Sequence, residues 1–189
     1  MKIYLYLYDV SNLCNNIDLP QIIKEHTSNY KIEEKRIISE SNYYRFINKI
    51  KSLSDINSFH FENGKPVIND LFISFSHSKY YYGFSYSNLL HGFDAEEIIN
   101  EDRIKRFSKI LKDNNDFNNS NDKSLFITKY WTEMESYSKL TGSGMDLKFI
   151  HNDQAIYKTY RIEDTLFTIA CESDFELEIY LNDEKRGIL

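Results

Sequence analysis

The chain has 189 residues, 41% apolar and 28% charged, which suits one globular core or two small halves sharing an interface. Its 23 Lys and Arg against 29 Asp and Glu leave a net charge of -6, which argues against a dedicated nucleic-acid binder, because phosphate contacts need a cationic surface. Cys14 and Cys171 are too few for a disulfide scaffold and read as free thiols. No apolar run approaches the roughly 20 residues of a membrane helix, so a cytoplasmic protein without membrane attachment is expected.

At the start, Tyr4, Tyr6 and Tyr8 alternate with Ile3, Leu5 and Leu7 ahead of Asp9, a period-two strand rather than a signal peptide. A short helix is expected from Asp18 to about Thr27, with Asp18 as N-cap and Pro20 in its first turn. Lys31 to Ile38 is mixed and charged. Tyr43, Phe46, Ile47, Ile50 and Leu53 have helical spacing, so a helix runs from Ser41 to Leu53. Asn63-Gly64-Lys65-Pro66 reads as a turn. Leu71 to Ser76 and Tyr80 to Ser87 read as aromatic-rich strands, and Gly92 to Ile98 as a third.

Glu101 to Lys112 is expected to be helical. Asp113 to Asp122 is almost entirely Asn, Asp and Ser and reads as a mobile loop. Ser124 to Leu140 is the strongest helix, with Ile127, Tyr130, Met134 and Tyr137 as its apolar stripe and Thr141-Gly142-Ser143-Gly144 as its stop. Phe149 to Ile179 gives two or three more strands. The order is strand, helices, strands, then strand, helices, strands. An α+β fold of two similar halves is therefore expected, meeting near residues 86–92.

Three short segments are candidates for chemistry. Phe75-Ser76-His77-Ser78 ends an apolar strand, where a His between hydroxyls either binds phosphate or is an exposed turn residue. In Gly92-Phe93-Asp94-Ala95-Glu96, residues two apart on a strand share a face, so Asp94 and Glu96 set two carboxylates side by side. Paired hard oxygens suit Mg²⁺ with substrate phosphates. The same spacing recurs at Glu133 and Glu135 and at Asp174 and Glu176, so spacing alone does not select a site. In the third segment, Trp131, Glu135 and Lys139 lie at i, i+4 and i+8 on one helix face. They are either a third carboxylate with a lysine beside it or an ordinary surface ion pair.

The order and intervals of Gly64-Lys65-Pro66, Phe75-Ser76-His77-Ser78, Gly92-Phe93-Asp94-Ala95-Glu96, and Trp131-Thr132 through Glu135 to Lys139 and Gly142 resemble the 4′-phosphopantetheinyl transferase superfamily. Within it the chain resembles the longer, pseudo-dimeric type associated with surfactin synthetase. That resemblance implies two α+β halves related by a pseudo-twofold, residues 1–88 and 89–189, with the active site in the cleft between them. It implies Mg²⁺-dependent transfer of the phosphopantetheine arm of coenzyme A to a serine of an apo acyl or peptidyl carrier protein. Adenosine 3′,5′-bisphosphate is released, and a monomer suffices.

By the same resemblance Asp94, Glu96 and Glu135 are metal ligands, Glu135 is the general base and Lys139 stabilises charge on the phosphates. Arg45, Lys65, Ser76 and His77 match positions that bind coenzyme A, with Lys31 and Arg36 more loosely placed. Residues 24–51 carry seven basic and four acidic side chains, a local positive excess that suits a nucleotide polyphosphate. Two positions depart from the pattern. Met134 stands where the family has Lys, and Ala95 replaces a branched apolar residue. The alternative expectation is a non-catalytic module of the same fold that binds coenzyme A or a carrier protein.

Overall fold

A computed structural model describes residues 1–14, 17–51, 59–62, 65–112, 114–144 and 155–189. Leu53, Asn63, Gly64, Asp113 and Phe149 of the expected elements lie outside the described residues. The first strand, β1 (Lys2–Asp9), pairs antiparallel with β5 (Tyr81–Ser87) and parallel with β9 (Glu176–Leu181). It is a central strand, and both of its faces are apolar because both are covered. Ile3, Leu5 and Leu7 are at most 1% exposed on one face, and Tyr6 and Tyr8 at most 3% on the other.

The full sheet has seven strands in the order β10-β9-β1-β5-β4-β3-β2. Here β2 is Phe59–Glu62, β3 is Lys65–Ile68, β4 is Leu71–His77 and β10 is Glu184–Ile188. A second sheet has the order β6-β8-β7, with β6 at His91–Glu97, β7 at Ile156–Ile162 and β8 at Thr165–Cys171. The last two strands of the chain, β9 and β10, thus extend the sheet built by the N-terminal strands. Phe93, Ala95, Phe167 and Ile169 pack against Ile3, Leu5 and Leu7 in a core between the two sheets. On the far side of the larger sheet, Phe46, Ile47 and Ile50 of α2 (Glu33–Lys51) meet Tyr8, Tyr82 and Phe84.

Helix α2 starts eight residues before the sequence pattern suggested. The charged stretch that hid it is its solvated first half, opened by Glu33 and Glu34, which suit the positive end of the helix dipole. Helix α1 (Gln21–Thr27) has Pro20 at its N-cap, not Asp18, whose carboxylate instead takes Lys24 Nζ at 3.0 Å. The expected loop after α3 (Glu101–Ile110) contains a one-turn helix, α4 (Asn115–Asn119). Asn114 caps it by accepting from the Phe117 N–H at 2.9 Å, and Phe117, 5% exposed, anchors it. One aromatic in a polar run was enough to fix that segment.

Helix α5 (Lys123–Thr141) is capped by Asp122 and stopped by Gly142 at φ 70°. Its buried face carries Ile127 and Met134 as expected, but also Thr128, Thr132 and Ser136, with Tyr130 and Tyr137 only partly covered. Thr132 Oγ1 accepts from Thr168 Oγ1 of β8 at 2.8 Å. Small hydroxyl side chains let α5 sit close against β6 and β8.

Candidate functional site

Strand β6 presents Gly92, Asp94 and Glu96 on one face and Phe93 and Ala95 on the other, as strand periodicity requires. Gly92 sets how near α5 can come. A Cβ at that position would lie 1.9 Å from the Ser136 carbonyl oxygen and 2.5 Å from the Leu140 nitrogen. Ala95 is 2% exposed in the inter-sheet core, where its small side chain faces Phe93 and Phe167 in one packed cluster.

The opposite edge of β6 meets β4 through serines instead of a backbone ladder. Ser74 Oγ accepts from the Phe93 N–H at 2.9 Å and Ser76 Oγ from the Ala95 N–H at 3.1 Å. Two edge donors that would otherwise be buried alone are thereby satisfied. Ser76 also donates to Asp94 Oδ1 at 2.9 Å and accepts from Lys139 Nζ at 3.0 Å. Its donor and both lone pairs are then in use, which leaves no capacity for a phosphate. Ser76 holds the carboxylate and lysine in place. His77, the next residue, is exposed on the other face of β4. The protein atoms around its ring and the Lys139 and Lys35 charges hold its pKa below the ordinary value.

Asp94 is the centre of the arrangement. It is 2% exposed, and Lys139 Nζ lies 2.7 Å from its Oδ1. Its second oxygen, Oδ2, is buried with no hydrogen-bond partner. A buried carboxylate oxygen left in that state is costly, commonly by about 1–3 kcal/mol or more for a charged group.

Glu135 lies one turn before Lys139 on α5 and is half-buried. Burial, and then the Asp94 charge, push its carboxyl pKa upward, while Lys139 and the Trp131 indole N–H pull it back. Glu96 lines a cavity of about 600 Å³ together with Glu135. Glu135 therefore shares a cavity with Glu96 and feels the charge of Asp94. Among the described residues, though, no three His, Cys, Asp or Glu side chains converge as a group that could hold a metal. The donor set fits a hard divalent cation at one point, the free Oδ2 of Asp94.

A second cavity, of about 330 Å³, lies at the other end of the same helix face. Lys65, Lys139, His26, Tyr30, Tyr43 and Gly142 are among its lining. Lys65 Nζ donates to the Leu140 carbonyl in the last turn of α5, and burial lowers its pKa. Arg45 is set apart from this cavity. Its guanidinium donates to the Asn12 carbonyl at 3.1 Å and stacks over Tyr8 at 4.6 Å. Much of the basic excess of residues 24–51 is likewise engaged, Arg36 with Glu33 and Glu40 and Lys24 with Asp18.

Met134 is 2% exposed and points into the protein, so a lysine there would need a buried partner. Sequence reasoning missed Ser74, the second edge-capping serine. Its alternation with Ser76, in step with Phe93 and Ala95, was the available signal. No helix among the described residues is long and apolar enough to cross a membrane. The chain matches no protein-family model and no curated protein sequence.

Proposed function

We propose that the protein transfers the phosphopantetheine arm of coenzyme A to a serine of an apo acyl or peptidyl carrier protein. The observation that carries this reading is the buried Asp94 carboxylate. One oxygen is held by Lys139 and Ser76, the other is unpartnered, and Lys139 in turn lines the smaller of the two cavities along α5. Mg²⁺ would be held by Asp94 with Glu96 and Glu135, and it supplies charge neutralisation at the pyrophosphate of the donor.

The chain's own groups fit the remaining tasks. Lys65 and Lys139 put two cationic groups in the lining of the smaller cavity, where a polyphosphate can be received. Glu135, whose carboxyl burial and the Asp94 charge make a stronger base, is the group placed to accept the proton of the incoming serine hydroxyl. Lys139 remains to stabilise the departing bisphosphate.

Strand pairing supports two related halves. Strand β1 leads through the 19-residue α2 to the β4–β5 hairpin, whose second strand returns to pair with β1. Strand β6 leads through the 19-residue α5 to the β7–β8 hairpin, whose second strand returns to pair with β6. The Ser76–Asp94–Lys139 cluster joins one set to the other. With both halves in one chain, a cytoplasmic monomer suffices.

The test is the intact mass of an apo carrier protein after incubation with this protein, coenzyme A and Mg²⁺. A gain of one phosphopantetheine, lost with chelator and lost in Glu135→Gln, is expected. Full activity of Glu135→Gln would remove that residue from the chemistry. A second reading, a non-catalytic coenzyme A- or carrier-binding module, is favoured by the absence of a three-carboxylate group among the described residues and by Lys139 already occupying Asp94. Coenzyme A binding with no mass gain on any carrier would select it.

A further inference from the structure

Two ammonium groups belong to the lining of the smaller cavity, and both are already bonded to the protein. Lys65 Nζ donates to the Leu140 carbonyl, and Lys139 Nζ donates to Asp94 Oδ1 at 2.7 Å and to Ser76 Oγ at 3.0 Å. Arg45 and Arg36 are held elsewhere, by the Asn12 carbonyl and by Glu33 and Glu40. Charge-assisted contacts are the strong ones for a phosphate, yet the Lys139 charge is answered by Asp94 before any phosphate arrives.

The pair is built to part on one side only. The Lys139 side chain is 33% exposed and the Asp94 side chain 3%. The ammonium therefore has solvent and the smaller cavity beside it, whereas the carboxylate cannot follow. Ser76 Oγ accepts from the Ala95 N–H at 3.1 Å and donates to Asp94 Oδ1 at 2.9 Å. Neither bond involves the lysine, so Asp94 keeps its place when the ammonium leaves. Asp94 Oδ2 is buried and unpartnered, which gives a second cation a foothold before the first has gone. Two cations on one carboxylate repel each other, and the mobile one is expelled.

Resting on the transferase reading, we propose that Lys139 is a placeholder in the cation site. A divalent cation taken up at Asp94 displaces the ammonium, which turns into the smaller cavity and becomes its phosphate-binding group. Cation and polyanion therefore bind in order, the first arming the site for the second, and linkage makes the gain in affinity reciprocal. The Lys139–Asp94 pairing that favours a non-catalytic module is then the resting position of a lysine with a second task.

The first test uses the unaltered protein and MgCl₂ alone. Brief acetylation with acetic anhydride, read residue by residue by mass spectrometry, measures how freely each lysine amine meets water. Saturating Mg²⁺ is expected to raise the labelling rate of Lys139 about fivefold or more. Lys65 should be unchanged, since the Leu140 carbonyl holds it in both conditions. Adenosine 3′,5′-bisphosphate, which lacks a bridging pyrophosphate, should lower Lys139 labelling again when added after Mg²⁺. By calorimetry its affinity should rise about tenfold with Mg²⁺, and that of Mg²⁺ should rise by the same factor with it. In Lys139→Met, Mg²⁺ should bind more tightly and the bisphosphate should lose its dependence on the cation. Coupling that survives in Lys139→Met would mean direct cation–anion contact and overturn the placeholder. Lys139 labelling unchanged while calorimetry shows Mg²⁺ bound would overturn it without needing the variant, and would leave the transferase reading standing. Mg²⁺ bound only when coenzyme A is present would do the same. No Mg²⁺ binding with or without coenzyme A would overturn both.

Discussion

Gly92 of β6 lies directly beneath Ser136 of α5, so close that a Cβ on Gly92 would stand 1.9 Å from the Ser136 carbonyl oxygen. That approach brings the helix carrying Glu135 and Lys139 down onto the strand carrying Asp94. The obstacle to any larger residue is helix backbone, which cannot rotate away.

Gly92→Ala should therefore be strongly destabilising, by about 3 kcal/mol or more, because overpacking against backbone costs at the upper end of its usual range. Urea unfolding measures this directly. The variant should also lose metal-dependent thermal stabilisation, since Asp94 and Lys139 would be pushed apart. Unaltered stability would mean that α5 is free to lift off β6.

Lys139 and Asp94 should behave as a coupled pair. Removing the ammonium in Lys139→Met leaves a buried, nearly unpartnered carboxylate and should cost about 3–5 kcal/mol. Adding Asp94→Asn removes the stranded charge and should restore much of that loss, so a double-mutant cycle should show clear coupling. Mg²⁺ should raise the melting temperature of the unaltered protein and leave Asp94→Asn unmoved, a readout independent of turnover. Equal Mg²⁺ stabilisation of both would place the cation elsewhere.

How much of this was legible in the sequence differs from element to element. Strand β1 and helix α5 were readable because their alternation and 3.6-residue spacing are local properties. The first half of α2 was not, since its charged residues face water and carry no apolar period. Helix α4 rests on one aromatic, Phe117, whose burial depends on Phe126 arriving from α5. The partner of Lys139 was the least legible feature. Spacing suggested Glu135, four residues away, whereas the ammonium bonds Asp94, 45 residues distant in sequence. Only the close packing allowed by Gly92 decides that choice. Ser76 and Arg45 are legible as polar residues in suggestive motifs, but their hydrogen bonds go to protein groups that the motifs do not reveal.

Acid should destabilise the fold through His91. This ring is fully buried, with Nδ1 bonded to the Leu89 carbonyl at 2.8 Å and Nε2 to Ser85 Oγ at 2.8 Å. A carbonyl only accepts, so Nδ1 carries the proton and Nε2 accepts from the serine. Burial pushes the ring pKa down from 6.5 to about 4. The folded state thus resists a proton that the unfolded state takes up readily. The contribution is fully present above pH 6.5 and is lost as pH falls toward 4, by about 3 kcal/mol at the lower end. His26 and His77, also depressed, act in the same direction. Urea unfolding at pH 7, 5.5 and 4.5 should follow this decline, and His91→Gln should flatten most of it. A slope unchanged in that variant would assign the acid sensitivity to other groups.

Lys65 has a structural task and a proposed binding task, and one substitution separates them. Its ammonium bonds the Leu140 carbonyl at the C-terminal end of α5, where a cation meets the negative end of the helix dipole. Such contacts are worth about 0.3–1 kcal/mol at partly exposed sites and up to about 2 when better buried. Lys65→Met keeps the aliphatic stem and removes the charge, so its cost to stability should stay within that range. A charge-assisted contact with phosphate is about twice as strong as a neutral one, and losing it should weaken coenzyme A binding at least tenfold. The loss should shrink as salt rises, because added ions screen the same interaction in the unaltered protein. Titration calorimetry at two salt concentrations gives both numbers. A variant that binds coenzyme A normally but unfolds earlier would make Lys65 a helix cap alone, and Lys139 would then be the cation left to receive the phosphates.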